Sequence, residues 1–221
     1  MIHQVLSSPI GIDKSKISIF SIWLVTISGI IGILLSKGDW FLPKTPFNLL
    51  MGAMLLYWNF PPKNGWKSVA VWSAAFLAGI TAEALGVNFG LFFGDYHYGD
   101  NLGPKVLGVP LMIGINWVVL TFSTAYLSGR LMTNRHASAL LGATMMVALD
   151  VLIEPLAPVF DFWHWDIGYA PLQNYVTWFV LAWLLQYLVQ KEVPKQENRL
   201  PLHHFASQVA FFGIFFLLQY V

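Results

Sequence analysis

Residues 149–166, LDVLIEPLAPVFDFWHWD, interrupt an apolar chain with acids, one histidine and two tryptophans. A membrane-spanning helix over residues 137–159 would place Asp150 and Glu154 one turn apart on one face, separated by roughly 6 Å along the axis. Ionisable groups at such a depth are costly, so they usually face a bundle interior or a wet cavity and take part in function. We therefore expect the functional site at this stretch, with a helical bundle built around it.

The composition of the chain indicates an integral membrane protein. Of its 221 residues, 57% are hydrophobic and only 10% are charged, whereas soluble domains have about 25% charged residues. The net charge of +1 and the absence of a basic patch argue against nucleic-acid binding. Because the chain has no cysteine, thiolate nucleophiles, Cys-ligated zinc and iron–sulfur clusters are excluded.

Seven apolar segments predict an all-α polytopic membrane bundle of about seven transmembrane helices, forming one domain over residues 1–221. The predicted spans cover residues 17–36, 46–60, 68–93, 109–129, 137–159, 172–189 and 202–220. With seven spans, most of the 12 Lys and Arg residues fall on the side of the N-terminus. The positive-inside rule then places the N-terminus in the cytoplasm, and we expect a multi-pass protein of a bacterial cytoplasmic membrane.

This orientation brings two polar, aromatic loops together on the outer side of the membrane. They are residues 94–108, GDYHYGDNLGPKVLG, and residues 161–171, DFWHWDIGYAP. Glu83 and Asp150 would lie at nearly the same level, roughly 3 to 5 Å beyond mid-span, with Glu154 one turn closer to the outer surface. We therefore expect one site in the outer half of the bundle, beneath these loops.

The acids of the predicted spans suggest proton chemistry. Burial without a cationic partner favours the neutral form of a carboxyl, and a second carboxyl nearby favours it further. In an apolar, aromatic cavity, such an acid can protonate an alkene to a tertiary carbocation, which Trp and Tyr faces stabilise. Water delivered to this cation would complete a hydration. The catalytic candidates are Asp150, Glu154 and Glu83.

Other interpretations of the same residues stay open. The acids can bridge helices, and the FWHW tryptophans can anchor the chain at the membrane interface. The D-x-H motif at Asp95 and the H-x-D motif at His164 offer four possible metal ligands, but no HExxH or His-x-x-His pattern accompanies them, and we expect no metal. The last span has no lysine for a retinal Schiff base.

Two segments together resemble a known family. They are EALGVNFGLFFGDYHYGDNLGPKVLGVPLMIGINW, residues 83–117, and LDVLIEPLAPVFDFWHW, residues 149–165. The pair resembles the membrane carotenoid biosynthesis proteins of the carotenoid 1',2'-hydratase and bisanhydrobacterioruberin hydratase type. The resemblance covers most of residues 70–185. It implies a hydro-lyase that needs no cofactor and adds water across the terminal C1'–C2' double bond of an acyclic carotenoid end group, of the lycopene or γ-carotene type.

The resemblance and the residue chemistry lead to one hypothesis for the site. Asp150 or Glu154 donates the proton, and Glu83 positions water or balances charge. The residues expected to bind the substrate are Asp95, Tyr96, His97, Asn116, Asp161, Trp163, His164 and Trp165. The expected partners are a carotenoid from the lipid phase, water, the membrane and other enzymes of the carotenoid pathway. The alternative is a proton-coupled transporter or a carotenoid-binding membrane protein that uses the same acids as a relay.

Overall fold

A computed structural model describes residues 13–61, 65–193 and 197–218. The predicted end of the last span at Tyr220 lies outside these ranges. The helices are α1 Lys14–Leu34, α2 Gly38–Phe41, α3 Thr45–Asn59, α4 Trp66–Phe89, α5 Leu111–Leu131, α6 Arg135–Ile153, α7 Leu172–Val189 and α8 Leu200–Leu217, with a 3₁₀ turn at Leu42–Lys44. The strands are β1 Tyr96–Tyr98, β2 Lys105–Val106, β3 Val109–Pro110 and β4 Trp163–Trp165.

The prediction of an all-helical membrane bundle is confirmed. Each of the seven predicted spans overlaps one helix, and α7 begins and ends as predicted. Five of the helices, α1, α4, α5, α6 and α8, are long and apolar enough to cross a membrane. Helix α3 has 15 residues, fewer than the roughly 20 that a membrane span needs. The number of seven crossings and the cytoplasmic N-terminus therefore stay predictions.

Helix α6, which contains Asp150, ends earlier than predicted. The expected span of residues 137–159 is wrong at its end, because α6 stops at Ile153 and successive turns follow. Pro155 explains the stop, since proline has no backbone N–H and its ring clashes with the preceding helical turn. Glu154 caps the helix, and its N–H still donates to the carbonyl of Asp150 at 2.9 Å. The one-turn relation between the two acids is therefore kept.

Helix α5 lies at the centre of the bundle. It packs against α4, α6 and α7 on one side and against α3 and α8 on the other, while α1 covers α3 and α8. Trp117 and Ala125 of α5 are fully buried. The polar residues of the site lie between α4, α5, α6 and α7, and a second group of helices, α1, α3 and α8, packs behind α5.

The two polar, aromatic loops meet as an antiparallel strand pair. Strands β1 and β4 pair in the register Tyr96 with Trp165, His97 with His164 and Tyr98 with Trp163. Opposite residues of such a pair share a face, and neighbouring residues alternate between faces. Tyr96, Tyr98 and Trp165 are buried, whereas His97 is exposed. The prediction that these loops lie together is confirmed, and their pairing turns one aromatic face toward the bundle.

Candidate functional site

Glu83 of α4 is surrounded by hydrogen-bond donors. Its side chain is buried, and its Oε2 accepts bonds from the hydroxyls of Tyr96 and, at 2.7 Å, Tyr98. The indole Nε1 of Trp117 donates to Oε1 at 3.4 Å. Gly79, one turn before Glu83, allows this indole to approach, because a Cβ at Gly79 would collide with Trp117. Both oxygens of the carboxyl thus face neutral donors.

Glu154 has a second set of donors, supplied by β4 and α7. Its Oε2 accepts bonds from the indole Nε1 atoms of Trp163 at 3.1 Å and Trp165 at 2.7 Å. Its Oε1 accepts a bond from the Asn174 side-chain amide at 2.9 Å. The same amide donates to Oδ2 of Asp150 at 3.2 Å. Two tryptophans that could have been interfacial anchors therefore hold a carboxyl instead.

The three acids line one cavity of about 40 Å³, which we call the acid cavity. Its lining residues are Glu83, Tyr96, Tyr98, Ile113, Asn116, Leu120, Met146, Asp150, Ile153, Glu154, Trp163, Trp165, Asn174 and Trp178. No lysine, arginine or histidine of the described chain is among them. A water molecule needs roughly 10–15 Å³ of such space, so the cavity has room for at least one water beside three carboxyl groups.

The three carboxyls differ in how many donors they receive. Glu83 and Glu154 each accept three side-chain hydrogen bonds, whereas Asp150 accepts one from the described side chains. Hydrogen bonds to a carboxylate stabilise its charged form. The arrangement therefore suits Glu83 and Glu154 to carry negative charge and leaves Asp150 as the acid best suited to keep a proton.

Tyr96 and Tyr98 act as permanent donors. Burial raises the pKa of both hydroxyls above their ordinary value, and the neighbouring charge of Glu83 raises it further. The two phenols therefore stay protonated at physiological pH and can donate hydrogen bonds to Glu83.

The histidines of the two loops lie on the opposite face of the strand pair. The rings of His97 and His164 stack with centroids 5.3 Å apart. His164 Nε2 lies 3.0 Å from Asp161 Oδ1, and His97 Nδ1 lies 3.6 Å from Asp166 Oδ1. Asp161 also accepts the backbone N–H of Asp100 at 2.9 Å. The hydrogen bond from His164 lowers the pKa of Asp161 most, and the bond from Asp100 adds to it.

The residues expected to bind the substrate thus divide into two groups. Four line the acid cavity, namely Tyr96, Asn116, Trp163 and Trp165. The other four, Asp95, His97, Asp161 and His164, are not among the residues that line it. In the described part of the chain, no group of three or more His, Asp or Glu side chains is arranged to hold a metal ion.

Several cavity residues were not expected from the sequence. Tyr98 could have been found, because it follows Tyr96 at the two-residue spacing of a strand. Asn174 and Trp178 lie four residues apart on one face of α7, which a helical pattern shows. The side-chain amide of Asn174 donates to both acids of α6. Trp178 stacks on Trp117 with centroids 4.1 Å apart.

Comparisons with known proteins point to one family. The family model described as carotenoid biosynthesis protein matches residues 45–221, which include every residue of the acid cavity. Bisanhydrobacterioruberin hydratase of Haloarcula japonica is 32% identical over 107 residues. That alignment covers 44% of this chain and 36% of the relative. No solved structure matches the chain.

Proposed function

Because this chain belongs to the carotenoid biosynthesis protein family, we propose that it is a carotenoid hydratase. In this proposal, acid catalysis adds water across the terminal C1'–C2' double bond of an acyclic carotenoid end group. The observation that supports it most is the acid cavity, where three carboxyls, aromatic rings and space for water meet without a cationic side chain among the described residues. The name of the hydratase relative points to the same reaction class.

Asp150 is the proton donor in this mechanism. It receives a single side-chain hydrogen bond within the described chain. Of the three carboxyls, its charged form is therefore stabilised least, and it keeps its proton most readily. The proton of Asp150 forms a new C–H bond at C2' with the π electrons of the alkene, and C1' becomes a tertiary cation. A general acid within reach of its acceptor typically contributes about 10²- to 10⁴-fold in rate.

The negative charges of Glu83 and Glu154 stabilise the cation, and one of these carboxylates accepts the proton that the attacking water releases. Water forms a C–O bond at C1', and its proton passes to a carboxylate, for which Glu154 is suitable because it shares Asn174 with Asp150. Transfer of this proton to Asp150 restores the starting state. Trp163, Trp165 and Trp178 line the same space, and aromatic rings stabilise a nearby cation through their quadrupoles.

Expression in a host that accumulates lycopene or γ-carotene tests the function. The proposal expects a more polar pigment, heavier by one water molecule, that appears with the wild-type chain and is lost with Asp150→Asn. Protein abundance in the membrane must be equal in the two strains. Unchanged carotenoid with an abundant wild-type protein would contradict the hydratase, and unchanged carotenoid that co-purifies with the protein would favour the binding protein.

A further inference from the structure

A second cavity of about 110 Å³ adjoins the acid cavity on the other side of α5. We call it the slot. It lies between α1, α3, α5 and α8, where Thr26, Leu49 and Phe211 are among its lining residues. The slot and the acid cavity share four lining residues, which are Ile113, Asn116, Ile153 and Trp163. The two cavities therefore meet at these four residues, and the proposed proton donor lines the acid cavity that they share.

The two cavities differ in the size of molecule they suit. An engineered apolar cavity of about 150 Å³ binds benzene, whereas one water needs roughly 10–15 Å³. The acid cavity, at about 40 Å³, is on the scale of water. The slot, at about 110 Å³, approaches the scale of a small hydrocarbon group. Along α8 it extends from His204 to Phe211, a rise of roughly 10 Å, which exceeds one isoprene unit.

The slot has an aromatic end and a polar end. Leu102, Phe162, Phe211 and Phe212 surround the end nearest β4. The other end contains His204, whose Nδ1 lies 3.5 Å from the amide Nε2 of Gln208.

Glycine and short hydroxyl side chains leave space in the slot. A Cβ at Gly52 would collide with the ring of His204, so glycine is what lets this ring lie against α3. Ser207 and Thr45 also line the slot, but their hydroxyls donate to the carbonyls of His204 and Leu42, at 2.8 and 2.7 Å. Since each hydroxyl donates to a backbone carbonyl three residues earlier, the two side chains tolerate an apolar neighbour.

Asn116 links the two cavities chemically. Its Oδ1 is buried and has no hydrogen-bond partner among the described residues, although a buried acceptor normally has one. Because Asn116 lines both cavities, this oxygen can accept a bond from a water molecule located where they meet.

Building on the proposed function, we propose that the slot binds the isoprenoid end segment of the substrate and presents its terminal double bond to the acid cavity where the two cavities meet, at Asn116 and Trp163. Water occupies the acid cavity beside this double bond, held by Asn116 and the carboxyls. The occupant is an acyclic polyene hydrocarbon, which fits the aromatic end of the slot, while the polar end at His204 keeps water.

Pigment binding by an inactive protein tests the slot without relying on turnover. The Asp150→Asn protein, purified in detergent from a lycopene-accumulating host, serves as the parent, and the ratio of pigment to protein is measured by absorbance. Adding Ser207→Phe fills the middle of the slot with a ring, and we expect bound lycopene to fall by about tenfold or more. Adding Ser207→Ala, which leaves the slot open, should keep the pigment.

A matched control enlarges a side chain in a different cavity. Ala53→Phe fills the space of about 100 Å³ between Leu56, Phe60 and Trp72, and the pigment should remain. The proposal that the slot binds the substrate would be contradicted by any of three results. These are equal pigment loss with Ala53→Phe, undiminished pigment with Ser207→Phe, and a parent protein that carries no lycopene. If Ser207→Phe does not accumulate, Gly52→Ala replaces it, because the added methyl must push the His204 ring toward the slot.

Turnover by the wild-type background separates the two proposals. In one outcome, the parent binds lycopene and loses it with Ser207→Phe, while the wild-type chain forms no alcohol. This outcome would contradict the hydratase activity and support substrate binding in the slot. Equal formation of alcohol by the wild-type and Ser207→Phe chains would support the hydratase activity and contradict substrate binding in the slot.

Discussion

Asp150 and Glu154 share one hydrogen-bond donor, the side-chain amide of Asn174, which lies 3.2 Å from Oδ2 of the first and 2.9 Å from Oε1 of the second. The two acids come from the end of α6, one turn apart, and the amide comes from the first turn of α7. Since Glu154 has two further donors, the indoles of Trp163 and Trp165, the pair is asymmetric. This asymmetry underlies the different roles proposed for the two acids.

Amide substitutions should separate the acids by role. Asp150→Asn keeps the shape but has no proton to donate to an alkene, so hydration should fall about 100-fold or more, as for loss of a general acid. Glu83→Gln should have a smaller effect, because Glu83 does not donate the proton in this mechanism. The measurement is alcohol formed per amount of protein in isolated membranes. Near wild-type hydration by both Asp150→Asn and Glu154→Gln would rule out the α6 site.

Removing the shared donor should weaken both activity and stability. Asn174→Leu leaves Asp150 and Glu154 without the amide, and loss of one partner from a buried polar pair costs about 1–3 kcal/mol. We expect a lower melting temperature in detergent together with a lower rate of hydration. The neighbouring Gln173 is exposed, so Gln173→Ala is the control. A melting temperature that Asn174→Leu leaves unchanged would show that the bridge does not stabilise the bundle.

The two buried tyrosines should make the protein sensitive to alkaline pH. Burial raises the pKa of Tyr96 and Tyr98 in the folded state, so their contribution to stability is complete below the unfolded value of about 10 and is lost as pH rises above it. Wild-type protein should therefore lose stability more steeply above about pH 10 than Tyr98→Phe does. Melting temperatures measured below and above this pH check the prediction, with Tyr57→Phe, which changes an exposed tyrosine, as the control. Parallel curves for all three proteins would be inconsistent with buried, protonated phenols.

Asp161 should stabilise the paired loops at all but acidic pH. Its pKa is lowered in the folded state by the hydrogen bond from His164 and then by the N–H of Asp100. The contribution is therefore present above the unfolded value of about 3.9 and is lost as pH falls through the lower folded value. Asp161→Asn should reduce the loss of stability at acidic pH. It should change the rate of hydration less than Asp150→Asn does. Asp166→Asn, which removes a carboxylate beside His97, is the control and should leave the dependence intact.

Tag accessibility tests the number of crossings. Seven crossings place the N-terminus in the cytoplasm and the C-terminus outside, as the distribution of lysine and arginine predicts. Reporter fusions at both ends should then give opposite results in intact cells. Two termini on the same side would mean that one helix does not cross the membrane, and the short α3, with 15 residues, would be the first to examine.

The local features of this chain could be predicted from its sequence. Long apolar runs determine helices in a membrane because each backbone group must be hydrogen-bonded within its own segment, and every long helix lies where such a run occurs. Helical geometry alone places Asp150 and Glu154 one turn apart. The clustering of acids and aromatic residues in two segments also pointed to the region of the site and to the family.

The tertiary structure alone decided which side chains meet in the acid cavity. The spacing of Tyr96 and Tyr98 places them on one face of a strand, but the pairing of β1 with β4 turns that face inward and His97 outward. The bonds from Trp117 to Glu83 and from Asn174 to Asp150 join different helices. Spacing along a chain determines which residues share a helix face, but contacts between elements depend on how those faces pack, and only the folded bundle determines that.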